Sequence, residues 1–276
     1  MAIDPTTLRR SEWTLWHTLG LLLALAVLLV VAESQPPVVT FPVMLVLLSM
    51  STILAGHGVV GSWRGLLIDQ RNRMSLSRLQ MVLWTVVVLS AFITAALWNI
   101  RLGEKDPLAV AVPQPLWWLM GISTTSLVGS PLIRSTKTAE RLDPALPALA
   151  AVKKEEEQLR TFSALQRQGV PPNTISTQGN IVVWQSPECA RLADLFQGEE
   201  VGNAAVLDLG KLQMFYFTLI VAFSYGAALA HAFAEASRNM SPVSVLPALG
   251  QGMVVLLGIS HAGYLTNKAV PHSAAP

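Results

Sequence analysis

The sequence predicts an all-α integral membrane protein: six transmembrane helices arranged as helical hairpins, a parallel internal repeat relating helices three and four to helices five and six, and a small cytoplasmic insert. Three observations carry this expectation. First, 13% of the 276 residues are charged and 52% are hydrophobic, with a mean hydropathy of +0.48. A soluble domain carries about 25% charged residues, so the chain has too few charges to solvate an ordinary surface and must use lipid for part of it. Second, apolar windows of about 20 residues, the length that crosses a hydrocarbon core, recur along the chain. Third, basic residues alternate between the connections.

The windows cover residues 13–32, 39–59, 79–100, 117–133, 214–233 and 243–265. They divide the chain into four helices over 1–133, a polar insert over 134–210, and two helices with a short tail over 211–276. The first window is longer than the roughly 7–15-residue core of a cleavable signal peptide and is expected to be retained. The fourth carries Ser123, Thr124, Thr125, Ser126 and Ser130. These hydroxyls suit a bundle better than lipid, so helix four is expected in the interior.

Arg9 and Arg10 precede the first helix, and Arg64, Arg71, Arg73 and Arg78 separate the second from the third. Arg134, Lys137 and Arg141 follow the fourth, and Lys268 follows the sixth. The remaining connections are poor in basic residues. This alternation predicts a multi-pass cell-membrane protein with both termini and the insert cytoplasmic. Trp13, Trp16, Trp63, Trp98, Trp117 and Trp118 fall near span ends, where an interfacial belt places them.

Aligned on itself with a shift of 133, the chain matches Ser75-Leu76-Ser77-Arg78-Leu79-Gln80-Met81 to Asp208-Leu209-Gly210-Lys211-Leu212-Gln213-Met214. The return helices share Gly121 and Ser123 with Gly258 and Ser260. Both hairpins run in the same sense, which predicts a parallel repeat about the membrane normal. Whether helices one and two form a third copy is left open by a loose echo at residues 48–52. Within the motif, Ser75 and Asp208 are expected as helix caps, Arg78 and Lys211 at the headgroups, and Gln80 and Gln213 as interhelical hydrogen-bonders. The small pairs Gly121/Ser123 and Gly258/Ser260 are expected to let helices approach closely.

In the insert, residues 149–168 read as a helix with a solvated, charged face at Lys153, Lys154, Glu155, Glu156 and Glu157. Ile181 to Trp184 reads as a short strand or buried edge, and residues 187–196 as a helix. A segment below about 80 residues with neither disulfide nor metal has a marginal core, so it is expected to lean on the membrane body or on a partner.

Other motifs are weak. Gly56-His57-Gly58-Val59-Val60-Gly61 matches a dinucleotide fingerprint, but that fingerprint requires a strand before it and a helix after it. Here it closes a membrane helix and reads as an exit and bend. His17, His57 and His261 map to one half of the membrane and His231 to the other, a set that suits interhelical bonds better than haem. The single cysteine, Cys189, reads as a small packed side chain and excludes an intrachain disulfide. No cofactor or metal is expected. A net charge of +2 with scattered basic residues points away from nucleic acid.

No nucleophile is paired with a base, and no carboxylate lies at mid-membrane. The expected function is therefore non-enzymatic: a membrane anchor or scaffold component of a cytoplasmic or membrane assembly. Its partners are the lipid bilayer and a protein bound through the insert, and a homo-oligomer is left open. The alternative is an ion channel or small-solute transporter with a hydroxyl path along helix four at Ser123, Thr125 and Ser126.

Overall fold

The computed structural model describes residues 13–139 and 148–272. Arg9, Arg10, Arg141 and the prolines at 144 and 147 lie outside the described residues. Among those described are seven α-helices: α1 (Leu15–Ser34), α2 (Pro37–Val60), α3 (Leu76–Leu102), α4 (Gln114–Ala139), α5 (Ala148–Arg167), α6 (Leu209–Asn239) and α7 (Gln251–Ala269). Of these, α2, α3, α4 and α6 are long and apolar enough to cross a membrane. The apolar part of α1, Leu15–Val31, is shorter. Outward-facing Leu22, Leu23, Val30, Val46, Phe223 and Ile259 leave the bundle with an apolar exterior, which favours an apolar surrounding medium.

Local chemistry sets the helix ends. Only Gln35 and Pro36 separate α1 from α2, and Pro37 opens α2 at a position whose N–H needs no partner. Gly61 closes α2 with φ 69°, and Gly103 closes α3 with φ 76°. This left-handed conformation strains residues that carry a Cβ. The glycine series at 56–61 is indeed a helix exit, and its main role is close packing. A Cβ at Gly56 would lie 2.6 Å from the backbone nitrogen of Leu66, and one at Gly58 would lie 2.5 Å from the Trp13 ring.

The central helix is α3, packed against α1, α2, α4 and α6. This differs from the expectation for helix four: 56% of the apolar window of α3 is buried, against 28% for α4. Ser123, Ser126 and Ser130 are buried as expected, but two of the five hydroxyls are not. Thr124 and Thr125 are exposed and donate to the carbonyls of Met120 and Gly121, each at 2.8 Å, so they are satisfied without burial. The main core joins Trp84, Ala91, Ala95 and Trp98 of α3 to Leu116 and Leu119 of α4, Tyr225, Leu229 and Phe233 of α6, and Leu257 of α7.

The sixth helix begins later than expected, at Gln251 rather than 243. Residues 243–249 lie outside any helix, and Val243, Leu246 and Leu249 are buried in the main core. The Asn99 side chain of α3 accepts from the N–H of Val243 at 2.8 Å and donates to its carbonyl at 2.9 Å. Ala111 pairs with Ser244 and Leu246, and Pro247 is a poor residue inside a helix. This clamp ties together the two connections at the end of the bundle opposite the insert.

The insert contains α5 and an antiparallel hairpin, β1 (Ile175–Gln178) and β2 (Ile181–Trp184), with Gln178 opposite Ile181. Gly179 in the two-residue turn has φ 60°, as such turns require. The strand expected at 181–184 is present, and β1 is its partner. The helix expected at 187–196 is instead two short 3-10 turns, Pro187–Cys189 and Leu192–Leu195. Here the Asp194 carboxylate accepts from the N–H of Arg191 at 2.8 Å and from the Trp184 indole, which holds the chain in tight local turns. Leu165, Val170, Ile175, Val182, Trp184, Val201 and Ala204 form a small core of their own.

Candidate functional site

Where the insert meets the bundle, the loop between α2 and α3 folds back on itself and carries three charges into the junction. Asp69 accepts the N–H of Arg71 at 2.9 Å and its guanidinium at 2.7 and 2.9 Å. Ile68 and Met74 pair across the loop, and Asn72 turns it at φ 57°. The hairpin of the insert seats on this loop. Trp184 donates its N–H to the carbonyl of Arg71 at 2.9 Å, and Asn72 donates to the carbonyl of Trp184 at 2.8 Å.

Glu199 gathers the cluster. Its carboxylate lies 3.0 Å from Arg71, 3.1 Å from Lys211 at the start of α6, and 2.7 Å from Lys268 near the end of α7. Lys268 also donates to Tyr264 at 3.0 Å, and Tyr264 lies 3.2 Å from Ser130 of α4. A second node surrounds Trp184, which is fully buried. Arg73 lies 3.4 Å from Asp194, donates to the Gly198 carbonyl at 2.9 Å and stacks 5.2 Å from the Trp184 ring. Arg191 stacks on the same ring at 5.6 Å.

Burial disfavours the Arg71 cation, but Glu199 and Asp69 outweigh it and raise its pKa above the ordinary value. Burial dominates at Arg73 and lowers its pKa despite Asp194. Both guanidinium groups remain charged at neutral pH because arginine starts so high. The two arginines therefore work as fixed charges in the cluster. The cluster joins the α2–α3 loop, α6, α7 and the insert into one body.

The other histidines and hydroxyls form separate contacts. His17 of α1 and His57 of α2 meet ring to ring, with Nε2 to Nδ1 at 3.0 Å, and His57 stacks 4.2 Å from Trp63. His261 of α7 bonds Ser126 of α4 at 2.5 Å. His231 is exposed. The expected interhelical role fits His17, His57 and His261.

The paired motif residues occupy different environments. Gln80 is fully buried and donates to Thr218 of α6 at 2.5 Å, whereas Gln213 is exposed. Lys211 lies in the buried cluster rather than among headgroups, while Arg78 is half-buried at the rim of a cleft. Asp208 caps α6 by accepting from the N–H of Lys211 at 3.1 Å, and Ser75 makes no such bond. Gly121 is exposed with open space where a Cβ would stand, and a Cβ at Gly258 would only touch Ile122 at 3.8 Å. Neither glycine is needed for close helix approach. Ser123 and Ser260 are buried with unpartnered hydroxyls. Of the three path residues, Ser123 and Ser126 face the interior and Thr125 faces outward.

The Glu199 cluster was not assembled from the sequence. The sequence marks Arg71, Arg73 and Lys268 as basic flanks and Lys211 as a headgroup contact, because a charge near a span end looks the same whether solvated or paired. The available signal was the alternation Asp69, Arg71, Arg73, which in extended chain puts three charges on one side. Among the described residues no group of three or more histidine, cysteine or acidic side chains is placed to hold a metal ion. No family model matches the chain, and no curated protein or solved structure matches it either.

Proposed function

We propose that the protein is a membrane anchor: six helices, α1–α4, α6 and α7, cross the bilayer with both termini and the insert on the cytoplasmic side, and the insert presents a binding surface to a protein partner. The single observation that carries the reading is the contrast between the two sides of the insert. One side is locked to the bundle through Glu199, Arg71, Lys211 and Lys268. On the other, α5 leaves Val152, Lys153, Glu155, Glu156 and Leu159 exposed, a mixed apolar and charged face of the kind that partner helices use. A lobe fixed to the membrane body and exposing such a face is suited to positioning a partner. The parallel repeat belongs to the same proposal, with α3–α4 and α6–α7 as its two packed hairpins.

The channel reading has less support. Thr124 and Thr125 return their hydroxyls to their own helix, and Ser126 is engaged by His261. A photo-crosslinking residue placed at Leu159 in the full chain, expressed in its native cells, is expected to trap a discrete protein adduct, and one placed at Leu23 on α1 only lipid. Purified protein in liposomes is expected to pass no ions. Flux that survives Ser126→Ala, with no adduct at Leu159, would favour transport instead.

A further inference from the structure

At the insert-side end of the bundle, the first turns of α3 and the facing stretch of α4 leave a cleft of about 330 Å³, within the roughly 300–1,000 Å³ of ligand pockets. Its walls are chemically divided. Along the helices it is lined by Met81, Val82, Leu127 and Pro131, and at the mouth of α3 by Ser75, Ser77, Arg78 and Asp69. The polar wall, which Gln70 and Ser130 complete, holds two side chains that have no partner among the described residues. Ser77 is 2% exposed, and its hydroxyl has no hydrogen-bond partner. Arg78 makes no ion pair or hydrogen bond with any described residue.

The same wall contains the start of α3. Ser75 does not cap it, so the free N–H groups of the first turn and the positive end of the helix dipole face the polar half of the cleft. The carboxylate in the wall does not supply the missing acceptor, because Asp69 is paired with Arg71. An unpaired guanidinium, a buried unpartnered hydroxyl and an uncapped helix N-terminus on one wall are the donor set that phosphate oxygens take. The apolar half continues the site in the direction of an acyl chain.

We infer that this cleft binds the phosphate of an anionic phospholipid, with Arg78 and the Ser77 hydroxyl donating to its oxygens and a chain lying along Met81, Val82 and Leu127. The inference rests on α3 and α4 crossing a bilayer and is independent of the anchor's partner. A soluble phosphate shares the headgroup chemistry but leaves the apolar wall unused.

The test titrates the purified full chain in detergent with phosphatidylglycerol, phosphatidylcholine and inorganic phosphate, read by native mass spectrometry. Phosphatidylglycerol is expected to bind at least about tenfold more tightly than phosphatidylcholine, and Arg78→Gln to remove that preference, as loss of a hydrogen bond to a charged group implies. Ser77→Ala is expected to weaken phosphatidylglycerol several-fold, while Arg101→Gln at the opposite end leaves it unchanged. Thermal unfolding of each variant establishes that it is folded. Equal binding of the two lipids, or phosphatidylglycerol binding unaffected by Arg78→Gln, overturns the site. Arg78-dependent binding of inorganic phosphate without phosphatidylglycerol binding overturns the lipid as its occupant. A chain that stays soluble without detergent overturns the membrane reading on which the inference rests.

Discussion

Glu199 serves three cations from three parts of the chain, so its replacement leaves charges buried with nothing to receive them. Breaking a buried ion pair from one side costs about 3–5 kcal/mol, mostly as the penalty of the abandoned charge. Glu199→Gln is expected to lower stability by about that much, read as loss of thermal stability in detergent. The exposed pair Glu156–Arg160, at 2.6 Å with side chains 58% and 78% exposed, provides the contrast. Glu156→Gln is expected to cost no more than about 0.5 kcal/mol. Equal effects would mean that Glu199 is hydrated in solution. Trp184 carries a different load: it fills the insert core, lies beneath two guanidinium groups and donates to Asp194. Trp184→Ala is expected to cost about 3–5 kcal/mol, and Trp184→Phe less, since it keeps most of the volume and loses the indole donor.

At the scale of elements, α2 and the turn that follows it meet through glycine. A methyl group at Gly56 would press on the backbone of Leu66, which cannot move aside like a flexible side chain. Gly56→Ala is expected to cost about 1–3 kcal/mol by overpacking, whereas Gly226→Ala on α6, with open space around it, should be neutral or slightly stabilising through helix propensity. Thermal unfolding of the two variants separates these outcomes. The junction also explains why β1 and β2 form so short a hairpin. Two strands of four residues are marginal alone, and here they gain the Arg71 carbonyl and the Asn72 amide as further partners.

For the whole molecule, the orientation proposed from basic residues makes a direct prediction. Reporter fusions at Asn173 and His272 are expected to read cytoplasmic and one at Asp106 external. An external signal at Asn173 would reverse the topology and put α5 out of reach of a cytoplasmic partner. The proposed repeat is tested by superposing α3–α4 on α6–α7. A rotation about the bundle axis is expected, and a crossing of opposite sense would reduce the 133-residue match to shared composition.

Much of the architecture is local and was legible from the order of residues. Long apolar runs have to become helices in lipid because every backbone group must find its partner within the segment, so helices at α2, α3, α4 and α6 follow from hydropathy alone. The charged helix α5, the strand at 181–184 and the exit at Gly61 follow from composition and turn chemistry in the same way. The helix that occupies the centre, the irregular entry to α7 and the role of each charge were decided by tertiary structure. Thr124 and Thr125 on α4 are satisfied by carbonyls of their own helix, so they did not require burial, whereas Ser123, Ser126 and Ser130 are buried. Lys211 and Arg78 read alike in sequence, yet one is buried against Glu199 and the other lines an open cleft. The physical reason is distance along the chain: Arg73 meets Asp194 across 121 residues and Glu199 meets Lys268 across 69, and no local pattern distinguishes a charge facing water from one whose partner arrives only when the chain has folded.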